Sequence, residues 1–247
     1  MQNNEQGIFI LTPIADILQE TVNACKGIGQ GIETQSLGEY VLQTTFLKMT
    51  GAQEQKLKCI CWEMATIDYR YRYQFLKKDY GECSSYNDKN SIYKDLVEAV
   101  KKADDRYNVD NLFEDMDKDS VMKARKKMFM EIQSRIVEII GGSIVARWEE
   151  HNYLNYLEKW NGMSHWNYAM DNKLFGKELQ GLYWAVVFEH RNRCAHNLVS
   201  IHKNLPTLKT LENDAFVYNN YYFRFSLLML LDEVFMRLFR VYSSLVA

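Results

Sequence analysis

Proline is almost missing from this chain. Pro13 and Pro206 are the two present among 247 residues, and glycine contributes 12. Proline breaks helix interiors and glycine weakens them, so long stretches free of both favour helix. Cysteine is sparse and odd in number: Cys25, Cys59, Cys61, Cys83 and Cys194 make five, and Cys59 and Cys61 form a CxC rather than a CxxC. Neither a disulfide framework nor a zinc site is readable from that pattern, and reduced thiols in a cytoplasmic protein are the simplest expectation. An excess of positive charge is also lacking, since the net charge is -2. No global field advertises nucleic acid, so any RNA or DNA contact has to come from a local patch. A long uncharged apolar run is absent too. The most apolar segment, FRFSLLMLLDEVFMRLFRVY, is interrupted by Arg224, Asp232, Glu233, Arg237 and Arg240, which argues against a membrane span. The opening MQNNEQGIF has neither the basic region nor the apolar core of a signal peptide.

What is there is helix-forming. Apolar residues make up 47% and charged residues 25% of the chain, the balance of a globular protein. TPIADILQETVNACKGIG reads as a short helix capped by Thr12, with Pro13 in its first turn and Gly27 at its end. Ser36 and Glu39 stand in capping-box spacing, and Thr50 and Gln53 repeat the device before a long breaker-free run through YRYRYQFLKK. DYGECSSYNDKN reads as a polar loop and SIYKDLVEAVKKA as a short amphipathic helix. Val121, Ala124, Met128, Ile132, Ile136 and Ile139 fall at intervals of three or four, a helical core stripe over 120–140. Gly141 and Gly142 punctuate it. SIVARWEEHNYLNYLEKW is a further helix, NGMSHWNYAMDN a loop, KELQGLYWAVVFEHRNRCAHN a helix, and 214–245 a long closing helix. No strand-like alternation lasts long enough to demand a sheet. The expected fold is all-α, an antiparallel helical bundle with additional N-terminal helices in one domain, 1–247. If there are two lobes, the acidic stretch near 104–119 separates 9–104 from 119–247.

The chemistry concentrates in FEHRNRCAHNLV, residues 188–199, directly after an apolar helix. Histidine titrates near neutral pH and can move a proton to or from a ribose 2′-OH or a leaving oxygen. Arginine presents a planar, permanently charged fork to phosphate oxygens. Arg191 and His196 therefore suit phosphodiester chemistry, Asn192 can orient either, and Glu189 can position an arginine. The plainer alternative is a set of solvated helix-end cations with His196 as a surface cap. Arg191 and His196 are five residues apart, so on an unbroken α-helix they stand about 140° apart. A joint site needs the helix to bend or end between them, or a second copy of the chain.

RNRCAHN resembles the signature of the HEPN superfamily: arginine, a polar residue that is often asparagine, a few more residues, then histidine. The resemblance covers about 17 residues, 181–197, and includes the apolar lead-in and the Ala195-His196-Asn197 ending. It implies a dimerising antiparallel helical bundle, with residues 119–247 as its core here. It also implies a metal-independent endoribonuclease that leaves 2′,3′-cyclic phosphate or 3′-phosphate ends, often in toxin–antitoxin or phage-defence systems. Arg191 and His196 match the catalytic pair and Asn192 the polar position, while Glu189, Arg193 and Asn197 are supporting neighbours. The partners implied are RNA, a second copy completing the active site, and an antitoxin or defence-complex partner. No cofactor and no metal are expected. Non-catalytic relatives exist, so a helical module that binds RNA, a nucleotide or a protein is the alternative.

Other segments carry weaker signals. YRYRYQFLKK alternates aromatic and basic residues that could stack bases and neutralise phosphates, against the plainer reading of a helix end with mixed core and solvated positions. Lys123, Arg125, Lys126, Lys127 and Arg135 form either an RNA-facing patch or a solvated helix face. DMDKDS fails as a calcium loop, because Ser120 and Lys126 stand where glycine and glutamate are required. Asp119 or Ser120 is better read as a helix cap. His151, His165, His190 and His202 have no ligand spacing and are expected to be structural. Cys194, beside Arg193, has a cation that could lower its pKa but no catalytic layout around it.

Overall fold

The structure is a computed structural model, and it describes residues 5–29, 31–75, 77, 82–113, 118–149, 167–196 and 220–246. The fold is all-α. Helices α1 (Glu5–Leu11) and α2 (Ala15–Ala24) lead into α3 (Gln35–Ile67), a single helix of 33 residues, and then α4 (Tyr69–Phe75) and α5 (Tyr86–Ala103). Next come α6 (Lys118–Ile140) and α7 (Ile144–Trp148), a hairpin of β1 (Tyr168–Met170) and β2 (Lys173–Phe175), α8 (Lys177–Tyr183), a π-helical turn over Trp184–Phe188, α9 (Glu189–His196) and α10 (Tyr221–Val246).

The core is organised by α10. It is buried on nearly every face, from Tyr221 to Tyr242, as a helix apolar all round must be. It packs against α3, α5, α6 and α1. The buried cluster is continuous from Ile10 to Tyr242, and each fully buried Leu or Phe in it is worth about 1.5–3 kcal/mol. The stripe expected on α6 is there: Val121, Met128, Ile132, Ile136 and Ile139 are buried. Gly142 ends that helix at φ +70, where a side chain would be strained. Ser143 caps α7 by accepting from the Ala146 amide.

Several local expectations are corrected by long-range contacts. Thr12 does not cap α2. Its hydroxyl donates to the Ile8 carbonyl, while the Ile14 amide at the start of α2 donates to Asp232 Oδ2 at 2.9 Å. The cap thus comes from a carboxylate 218 residues away. Helix α3 begins at Gln35, one residue before the expected start at Ser36, but Thr50 is no second helix start, because α3 runs through it. Thr50 donates back to the Leu47 carbonyl, and Gln53 donates to the Leu228 carbonyl of α10. Burial against α10 carries the helix across this local start signal. The long run does break, at Asp68, whose carboxylate accepts from the Arg70 and Tyr71 amides and starts α4. A capping box does occur at Ser85 and Asp88, so α5 begins inside the segment read as a polar loop. Helix α6 starts at Lys118, before Asp119 and Ser120.

The loop reading of 161–172 is corrected over Tyr168–Met170, and its residues 161–166 lie outside the described ones. Tyr168 pairs with Phe175 and Met170 with Lys173 in an antiparallel hairpin closed by Asp171 and Asn172. Its strands are three residues long, too short to show alternation. Ala169 sits at φ +48, and its carbonyl accepts from buried Arg125. Tertiary contacts stabilise what local propensity would not. The expected helix beyond Trp148, Asn197, and the first part of the closing helix lie outside the described residues.

Candidate active site

The motif rides on a helical rod from Lys177 to His196. Its middle is the π-helical turn Trp184–Phe188. A π turn inserts one extra residue and rotates everything after it by about 100° relative to an α-helix. That rotation brings Arg191 onto the side carrying buried Tyr183 and Val187. All three line one small cavity with Thr50, Gln53 and Glu54 of α3 and Ser84 and Lys89. Its volume is about 10 Å³, no more than one water needs. It cannot hold a substrate.

Arg191 is held there by Glu54. Its Nη2 lies 3.2 Å from Oε1 and 3.3 Å from Oε2 of that carboxylate. The pair is partly open, with the arginine side chain 25% and the glutamate side chain 13% exposed. Arg191 Nη1 also reaches Asn192 Oδ1 at 3.5 Å. Beside them, Lys89 is buried and donates to the Cys83 carbonyl at 2.5 Å and the Ser84 carbonyl at 3.2 Å. Burial pushes its pKa down to about 8 against the opposing pull of Glu54. Cys83 itself stands at φ +59 in the strained left-handed region.

Helix α9 is unbroken from Glu189 to His196. No bend or stop separates Arg191 from His196, so their positions stay about 140° apart around the axis. Of the two ways to a joint site, the one within a single helix is removed. Asn192 and His196, four apart, share a face. Glu189 is exposed, and the carboxylate that holds Arg191 is Glu54 instead. Arg193 is half-buried, and Asn197 lies outside the described residues.

His190, next to the motif, faces inward. Its ring packs 5.0 Å from Phe46 and 5.6 Å from Tyr221, with Nε2 3.3 Å from the Tyr221 hydroxyl and 3.4 Å from Cys194 Sγ. Burial, reinforced by Arg224 and Arg193, pushes its pKa down to about 2. It is a neutral packing residue. The same burial raises the Cys194 thiol, outweighing Arg224 and Arg193. The arginine beside it therefore does not make Cys194 a reactive thiol, in keeping with the lack of a catalytic layout around it. His151, His165 and His202 lie outside the described residues. Among those described, no group of three or more His, Cys, Asp or Glu is arranged to hold a metal ion, and no helix is long and apolar enough to cross a membrane.

Two residues here were invisible to motif reasoning. Glu54 lies 137 residues from Arg191, and nothing local marks it. Lys89 does carry a signal: it stands in the stripe Tyr86, Lys89, Tyr93, Leu96 and Val100, all buried. A lysine at a core position of an amphipathic helix is rarely idle. Of the basic residues on α6, Arg125 belongs to no surface patch. It is buried, 3.0 Å from Asp110 and 3.1 Å from the Ala169 carbonyl. Arg135 pairs with Asp16, leaving Lys123, Lys126 and Lys127 exposed. No family model matches the chain, and no curated protein or solved structure matches it.

Proposed function

We propose that this protein is a metal-independent endoribonuclease of HEPN type, acting within a toxin–antitoxin or phage-defence system. The observation that carries this reading is the placement of Arg191, Asn192 and His196 on one continuous helix, with Arg191 held in a partly open ion pair at a helix junction. In this reading Arg191 binds the scissile phosphate and stabilises the charge that builds on it. His196 moves the proton of the attacking ribose 2′-OH, or that of the leaving oxygen. Asn192 orients the pair. Because α9 does not bend, the site is completed by a second copy, whose His196 approaches the first copy's Arg191. Each guanidinium then exchanges part of its contact with Glu54 for phosphate.

The test is cleavage of a labelled mixed RNA pool in EDTA by the purified protein, beside Arg191→Ala and His196→Ala. The wild type is expected to leave cyclic-phosphate ends and to spare DNA, which has no 2′-OH. Each variant is expected to lose about 100-fold or more in rate. Equal background from all three proteins, with the wild type dimeric, rejects the enzyme. The second reading, a non-catalytic helical module binding RNA, a nucleotide or a partner protein, would then stand. It has its own supporting observation: Glu54 already satisfies Arg191 without a ligand.

A further inference from the structure

The alternating segment YRYRYQF folds as α4, and its alternation acquires a geometry. Tyr71 turns inward, buried, and packs its ring against Phe75 at 6.0 Å. Tyr69 and Tyr73 are four apart and share the opposite face. Both are strongly exposed, at 81% and 61%. On a helix, Arg70 and Arg72 fall about 80° to either side of the line through those two rings, and both are exposed. Lys77 adds a third cation, with Nζ 4.4 Å from the centre of the Tyr73 ring. The outer face of α4 is therefore two aromatic rings edged on both sides by guanidinium groups.

Exposed tyrosines do nothing for the core, and this arrangement does not belong to the Arg191 cavity. Large rings left in water at this density mark an interaction surface. Arginines on both flanks, in a chain whose net charge is -2, select a partner that combines flat apolar faces with negative charge along its length. Helix α3 joins this segment to the candidate active site. Glu54, Lys58 and Trp62 follow at four-residue spacing along α3, and Trp62 is 65% exposed. Ile67, the last residue of α3, lies 13 positions beyond Glu54, about 20 Å at the helical rise, and α4 begins two residues later.

We propose that Tyr69 and Tyr73, flanked by Arg70 and Arg72, form a stacking platform for single-stranded RNA. The platform holds unpaired bases on the tyrosines and their phosphates on the arginines. This rests on the ribonuclease reading for the identity of the ligand and extends it: the substrate is an unpaired stretch spanning about 20 Å between platform and scissile bond. Bases within a duplex are already stacked and offer no free face, so double-stranded RNA is excluded from the platform.

The experiment is fluorescence anisotropy with labelled oligoadenylate and a labelled blunt RNA duplex, in EDTA, in the His196→Ala background so that the probe survives. Cleavage by otherwise wild-type protein is assayed in parallel. Tyr69→Ala and Tyr73→Ala are each expected to weaken oligoadenylate binding about tenfold. Tyr69→Phe and Tyr73→Phe should keep it within about twofold, because the ring face is retained. Arg70→Gln and Arg72→Gln should each lower the slope of log affinity against log salt by about 0.7. Failure of the parent to bind oligoadenylate overturns the platform. So does binding that ignores both rings, or equal ring dependence with the duplex, and cleavage by wild type in that case leaves the ribonuclease intact. Ring-dependent binding without any cleavage supports the platform and removes the ribonuclease.

Discussion

Two of the ion pairs on helix α3 stand two residues apart, and they are opposites. Lys56 meets Asp232 of α10 at 2.6 Å with both side chains about 95% buried, at 5% and 4% exposure. Glu54 meets Arg191 of α9 at 3.2 Å with both partly open. In the first the cation is on α3, and in the second the carboxylate is. Opposite sides of one helical turn thus produce a sealed pair in the core and an accessible pair at the motif. A sealed pair has no solvent to exchange with, and Asp232 spends its second oxygen on the Ile14 amide. Both carboxylate oxygens there are engaged by the fold. The open pair leaves the arginine side chain 25% exposed, within reach of an anionic ligand.

The sharpest way to break this comparison is to remove Asp232. Asp232→Ala strands a buried ammonium and uncaps α2 at once. A loss of about 3–5 kcal/mol is expected, lowering the melting temperature by roughly 10 °C for a chain of this size. Thermal unfolding measures it. A loss below about 1 kcal/mol would mean that the core admits water at Lys56 and is not sealed. RNA affinity of the folded fraction should not change.

The next effect in size concerns the buried histidine beside the motif. His190 has a folded pKa near 2, well below the ordinary value of about 6.5. As pH falls through 6.5 the unfolded chain takes up a proton and the folded chain does not, so stability is lost toward acid. The slope from this group approaches 1.4 kcal/mol per pH unit, or about 2 kcal/mol by pH 5. His190→Phe should remove that slope between pH 4.5 and 6.5, measured as denaturant midpoints against pH. An unchanged slope would mean that His190 becomes protonated in place and is open to solvent.

Legibility in the sequence followed the range of the interactions. The helical class was readable because proline is nearly missing and the α6 stripe is local. The motif was readable because Arg191, Asn192 and His196 lie within six positions. Glu54 was not, because its relation to Arg191 exists only after α3 and α9 pack. Nor was the true cap of α2, since Asp232 sits in an apolar run where a charge signals only that the run does not cross a membrane. The π turn at Trp184–Phe188 gives no compositional warning, yet it decides which face Arg191 takes. Where local signals and burial disagreed, as at Thr50 and Gln53, burial won. The YRYRYQF segment shows the reverse. Its alternation was visible, but its meaning depended on which tyrosine the fold buries, and it buries Tyr71.

The smallest expected change in stability is the most informative about the open pair. Glu54→Gln keeps the shape of the side chain and one acceptor oxygen while deleting its charge. Because Arg191 and Glu54 are both partly solvated, the fold should lose only about 1 kcal/mol. The charge matters more to a ligand. A carboxylate 3.2 Å from Arg191 both occupies the guanidinium and repels an incoming phosphate. Removing it frees the fork for a bidentate contact with phosphate oxygens. Oligoadenylate affinity of Glu54→Gln in the His196→Ala background should rise severalfold, with the gain shrinking as salt is raised. Unchanged affinity together with a loss of several kcal/mol would place Glu54 and Arg191 beside Lys56 and Asp232 as a second structural pair, and the distinction between the two sides of α3 would fail.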